Sequence, residues 1–198
     1  KNPPKTYADL LNPEYTAQVA LAGDPRGSNQ AILAVQQMAL ANGGTWQDPT
    51  PGLDFFKKLY DSGNFVPVIA KQATVAKGET AIVYRWNYNA LADVDSLAGN
   101  PNVKWYAPEG TAPIAGVYIQ AISAYAPHPN AAKLWMEYLY SDEGQLAWMK
   151  GYCYPIRMDD LIKRNVIPAE ISAKMPPIAG AVFPTLDELT AAKTFITT

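Results

Sequence analysis

Residues 19–35, VALAGDPRGSNQAILAV, change character halfway along. The apolar run VALA meets the turn residues Gly23, Asp24 and Pro25, and from Ser28 apolar positions recur at helical spacing. An apolar run, a Gly/Pro turn and a 3.6-residue period read as strand, loop and helix. Ile32, Val35, Met38, Ala39 and Leu40 carry the helix to about Ala41, where Asn42, Gly43 and Gly44 supply the stop. Ser28 and Asn29 stand at the junction, behind Arg26 and Gly27. In one reading Ser28 simply caps the helix. In the other, the unpaired N–H groups of the first turn and the helix dipole hold phosphate, sulfate or carboxylate oxygens. Ser28 and Asn29 then add donors, and Arg26 closes over the anion in bidentate fashion or stays in solvent.

Outward from this unit the pattern continues. NPPK (2–5) reads as extended linker and TYADLLNPEY (6–15) as a short helix limited by Pro13. Pro51 to Asp61 predicts a second helix, with Leu53, Phe56, Leu59 and Tyr60 at 3–4 spacing. FVPVI (65–69) is extended, and QATVAKGE (72–79) is a short helix and turn. TAIVYRW (80–86) is β-branched and aromatic, a strand signal. Ala90, Leu91, Val94 and Leu97 mark a third helix, and VKWYAP (103–108) another strand. Strands alternating with helices predict an α/β fold. Asp24–Ser28 follows one strand and Arg85–Asn87 another, so parallel strands would bring both to one rim. Beyond Pro113, GVYIQAISAYA (116–126) reads as a long strand, with Tyr118 and Gln120 on one face. HPNAAKLWMEYLY (128–140) is a helix, Ser141 an N-cap for the next, and GYCYP (151–155) a break; short helices and prolines fill the rest to Thr198.

Composition excludes several functions. The 198 residues are 48% hydrophobic and 17% charged, with a formal net charge of −2. No basic patch invites nucleic acid, and no apolar run is long enough to span a bilayer. The single cysteine rules out an internal disulfide and any multi-cysteine metal site. His128, between two prolines, has no spacing that makes it a base for Cys153. Asp159 and Asp160 are adjacent and diverge, and GDPRGS lacks the Gly-Lys-Ser/Thr ending of a phosphate loop. The expectation is a protein that is not an enzyme and has no cofactor or bound metal.

APHPNAAKLWMEYLYSDEGQ (126–145), VALAGDPRGSNQAILAV (19–35), KGETAIVYRWNYNAL (77–91), GYCYPIR (151–157) and FPTLDELTAAKTFIT (183–197) together resemble the solute-binding proteins of ABC importers. The likeness is to the two-lobed branch that includes polyamine, ferric-iron, thiamine and sulfate binders. It implies the α/β type II periplasmic-binding-protein fold. Residues 1–108 would form the complete second lobe, with hinge strands at its ends. Residues 109–198 would form the helical C-terminal part of the first lobe, incomplete without an N-terminal segment that this chain does not carry. It implies a periplasmic or extracellular location, a small solute and a membrane permease as partners, and the missing segment or a second copy of the chain as a further partner. The solute site would draw on Arg26, Ser28, Asn29, Arg85, Trp86, Asn87, Tyr88, Tyr118 and Tyr152, with Trp86 as the floor. Arg85 could neutralise a carboxylate or pair with Asp24, Asn87 could bond the solute or cap a helix, and Tyr152 could lie near solute or pack between lobes. An anionic or zwitterionic organic solute fits Ser28 and Arg26. The alternatives are a polyamine held by Asp24, Asp93, Glu109 or Glu143 and aromatic faces, ferric iron through Tyr88, and a non-binding fragment serving assembly.

Overall fold

The structure, a computed structural model, describes residues 3–175 and 180–198. Lys1 and Asn2 of the expected linker, and residues 176–179 of the expected helical tail, lie outside the described residues. The chain divides into two units: residues 1–116 with 178–198, and residues 117–177.

In the first unit, short 3-10 helices at Ala8–Leu11 and Pro13–Tyr15 lead into strand β1, Val19–Leu21. Helix α1 (Asn29–Ala41) follows the GDPRGS loop, then α2 (Thr50–Asp61), α3 (Gln72–Ala76), strand β2 (Ile82–Tyr84) and α4 (Asn87–Ser96). β1 and β2 pair in parallel, with Val19 opposite Ile82 and Leu21 opposite Tyr84. On the other side of β1, Phe65 forms an isolated parallel bridge to Val19, and the N–H groups of Val66 and Ala70 donate to Val19 and Leu21. Val68, whose N–H would follow next in a ladder, donates back to Val66 across Pro67 at 2.8 Å, so FVPVI stays a flank and does not become a strand.

The α1 helix is the centre of this unit. All residues from Ala31 to Ala39 are buried, including Gln36 and Gln37. Met38 meets Leu10, Tyr15, Val19, Phe55 and Leu59 on one side, and Ala31 and Ala34 pack with Leu21 on another. Leu33 clusters with Trp46 and with Ala192 of the last helix. A helix surrounded by neighbours cannot have one apolar stripe, so its buried glutamines must find partners. Gln36 Nε2 donates to the Thr45 carbonyl, while Gln37 Nε2 donates to Ala112 and its Oε1 accepts from the Ile114 N–H.

In the second unit, α5 (Pro129–Tyr140) turns sharply into α6 (Asp142–Lys150), and α7 (Met158–Lys163) and α8 (Ala169–Ser172) follow. Ser141 makes the corner. Its hydroxyl accepts from the Gly144 N–H at 3.1 Å and donates to the Tyr138 carbonyl at 2.6 Å. A Cβ on Gly144 would stand 2.2 Å from that carbonyl oxygen, so only glycine fits. Gln145 ties the corner to the next segment, donating to Leu139 and accepting from the Arg157 N–H. SDEGQ is therefore the sequence of a helix corner. In the first unit, the last helix, α9 (Leu186–Thr197), starts in a capping box of Thr185 and Glu188.

The expected sheet-rich, two-lobed type II fold is overturned. Among the described residues the chain is predominantly helical, with one two-stranded sheet and two isolated bridges. Residues 103–108 and 116–126, read as strands, form none. Strand preference measures how well a side chain suits a pleated surface, and a ladder needs a neighbour as well. Val117, Tyr118 and Ile119 have no such surface and stay exposed, Ile119 at 88%.

Candidate functional site

The parallel register puts the carboxyl ends of β1 and β2 at one edge of the pair. The GDPRGS loop and α1 leave β1 there, and Arg85, Trp86 and α4 leave β2. The two helix starts are joined through Gln30 in the first turn of α1. Its Nε2 donates to the Ala22 carbonyl at 2.7 Å, and its Oε1 accepts from the backbone N–H of Trp86, the N-cap residue of α4, at 2.6 Å. Gln30 was not among the sequence candidates. The available signal was a long amide side chain in the first turn of a helix that carries no charged residue.

Neither helix start is closed by its N-cap side chain. Ser28 occupies the N-cap position of α1 with extended backbone, but its hydroxyl takes no helix N–H, so the simple capping bond is not made. The side chains of Ser28, Asn29 and Asn87 make no hydrogen bond among the described residues, and Asn29 is exposed. The edge therefore presents two helix N-termini with their partial positive potential, flanked by one hydroxyl and two amides.

The charged residues near this edge already have partners. Arg26 folds back on Asp24 through Nε and Nη2, at 3.1 and 2.7 Å, and is highly exposed. That guanidinium, and then the Arg26 N–H, hold the Asp24 carboxyl down to about 2. Arg85 forms an ion pair with Asp93 of α4, and Gln72 Nε2 reaches the same carboxylate at 3.4 Å. The Arg85 Nε is buried and has no hydrogen-bond partner among the described residues. Asp24 and Arg85, which could have paired, each have a different partner.

Trp86 is half-buried. Its ring packs with the Leu33, Trp46 and Ala192 cluster, and a Cβ on Gly116 would meet its Cη2 at 2.7 Å. Tyr88 lies in the first turn of α4 and is half-buried. Tyr118 and Tyr152 belong to the second unit. Tyr118 is 70% exposed, whereas Tyr152 is buried with φ of 63° and has Lys174 Nζ 5.9 Å from its ring centre. In the same turn, burial pushes the Cys153 thiol up, which disfavours the reactive thiolate.

No curated protein matches this chain. The model of a family described as bacterial extracellular solute-binding protein matches residues 1–179. Proteins of that family are non-catalytic components of transport that work outside the cytoplasm, so this chain is not an enzyme. With nearly its whole length matched, the chain belongs to the bacterial extracellular solute-binding proteins.

Proposed function

We propose that this chain captures a small polar solute, anionic or zwitterionic and organic, at the joined starts of α1 and α4, and delivers it to an ABC permease in the membrane. One observation carries the reading: two helix N-termini without side-chain caps meet at one edge, beside Ser28, Asn29 and Asn87 side chains that make no hydrogen bond among the described residues. A carboxylate or phosphate there takes first-turn N–H groups, with the dipole of each helix favouring its charge. Ser28 and Asn29 donate from one side and Asn87 from the other. Trp86 and Tyr88 give the site its apolar wall, and Arg26 opens from Asp24 to meet a larger anion. Arg85 stays with Asp93 and keeps α4 in position. The engagement of Asp24 and Asp93 by arginines speaks against a polyamine at this edge. The exposed apolar residues of the second unit, Ile119 and Leu134 among them, support a polypeptide partner there, either a second copy of the chain or a preceding segment.

Native mass spectrometry of protein purified without dialysis identifies a retained solute, and amide chemical-shift mapping with that solute locates it. The expected result is a net-negative or zwitterionic molecule that shifts the amides of residues 28–32 and 87–90. Hydrogen bonds to a charged group contribute about 1.5–3 kcal/mol. Asn29→Ala and Asn87→Ala should therefore each weaken binding by roughly tenfold or more. A retained polycation, or shifts confined to other residues, refutes the proposal.

A further inference from the structure

We infer that Gln30 is the positioning residue of this edge: its side-chain amide is inserted as a rung in the β1–β2 ladder and holds the two helix starts apart at the spacing a solute meets. The inference rests on the proposed site in taking that edge as the place of binding. In a parallel ladder every second residue of one strand bonds to the residues on either side of its opposite number. Here Ile82 N–H donates to Gln18, and the last regular bond runs from Ala22 N–H to Tyr84 at 3.3 Å. The next rung would be Trp86 N–H to the Ala22 carbonyl. Those are the two groups that Gln30 occupies, at 2.6 and 2.7 Å. A primary amide offers the same donor and acceptor as a peptide group, so it satisfies both strands while separating them. The ladder ends there because a side chain fills its next position. The opening between β1 and β2 is thus set by the length of one glutamine amide. A shorter or apolar residue would let Trp86 bond Ala22 directly and draw the start of α4 toward that of α1.

The test is a through-hydrogen-bond coupling measured by NMR on the labelled full chain, with inorganic sulfate as the binding probe because its charge is constant over the pH range used. In the wild type the Trp86 backbone nitrogen should couple to the Gln30 side-chain carbonyl carbon. In Gln30→Met it should couple to the Ala22 carbonyl carbon. Gln30→Glu separates positioning from general stability. A neutral carboxyl donates to Ala22 and accepts from Trp86 as the amide does, but the ionised form has no proton for Ala22. At about pH 7.5, well above the ordinary glutamate pKa of roughly 4.3, this variant should bind sulfate about fivefold to tenfold more weakly than wild type; it should recover as pH falls through about 4.3, nearly completely by about pH 3.3. The wild type should show no such profile. A wild-type coupling from Trp86 directly to Ala22, or equal sulfate affinity of Gln30→Glu and wild type at both pH values, overturns the inference. Wild-type protein that ignores sulfate counts against the anion site alone, and the coupling then decides the role of Gln30 by itself.

Discussion

Gly52→Ala tests the packing that holds α1, and with it the position of the α1 N-terminus. Gly52 is the third residue of α2 and is buried. A Cβ placed on it would stand 2.2 Å from the Val35 carbonyl oxygen, 2.8 Å from the Ala39 nitrogen and 3.1 Å from the Ala39 Cβ. The first two are backbone atoms in the middle of a buried helix, so no rotamer change relieves them. Carbon and carbonyl oxygen approach comfortably to roughly 3.3 Å, so the helices must separate locally by about 1 Å. Overpacking a tight core by one carbon costs about 1–3 kcal/mol, and contact with rigid backbone on two sides puts this site at about 3. Helix preference works the other way, since alanine is better than glycine by about 1 kcal/mol. The net expectation is a loss of about 2 kcal/mol, or about 4–8 °C in Tm for a chain of this size. Thermal and urea melts followed by circular dichroism measure it. Gly27→Ala is the control, because nothing lies within 4 Å of a Cβ there; its effect should stay within about 0.5 kcal/mol. If Gly52→Ala is neutral or stabilising, helix preference dominates and the close approach of α2 to α1 is wrong.

Asp93→Ala leaves the largely enclosed Arg85 guanidinium without its carboxylate, in addition to an Nε that already lacks a partner among the described residues. Urea melts should show a loss of about 3 kcal/mol, while Arg85→Met combined with Asp93→Leu should fall close to wild type. A harmless single substitution would mean that water reaches the pair. Asp24 gives the pH-dependent prediction. Its carboxyl is depressed to about 2 in the fold, so the Arg26 contact contributes above the unfolded carboxylate pKa and is lost as pH falls toward 2. Both groups are exposed, which makes the carbon-13 shift of the carboxyl the readout. Arg26→Ala should move the Asp24 midpoint part of the way toward about 3.9, because the backbone N–H at residue 26 still donates to it. An unmoved midpoint would show that the guanidinium contact does not form in solution.

What could be read from the sequence was local. The strand, loop and helix of residues 19–41, the helix ending at Asp61 and the helix corner at Ser141 each announce themselves through short-range rules: an apolar run closed by Gly-Asp-Pro, a period of 3.6, a serine before a helix. Residues 116–126 announce themselves just as clearly as a strand, and wrongly, because a ladder depends on a neighbour that no window of sequence contains. The site divides in the same way. Ser28, Asn29 and Asn87 were visible as helix starts after apolar runs. The residue that joins those starts was not, because its two partners lie just beyond the ends of different strands, one of them 56 positions away. Gln30 and Gln37 are separated by two helical turns and face the same way along α1. Each uses its amide alike, with Nε2 on a carbonyl and Oε1 on an N–H. A buried helix without charges can grip the strands and loops around it through amides that imitate peptide groups. Glutamines spaced along an otherwise apolar helix are therefore a legible sign that backbone edges will be docked there, even where the sequence does not say which edges.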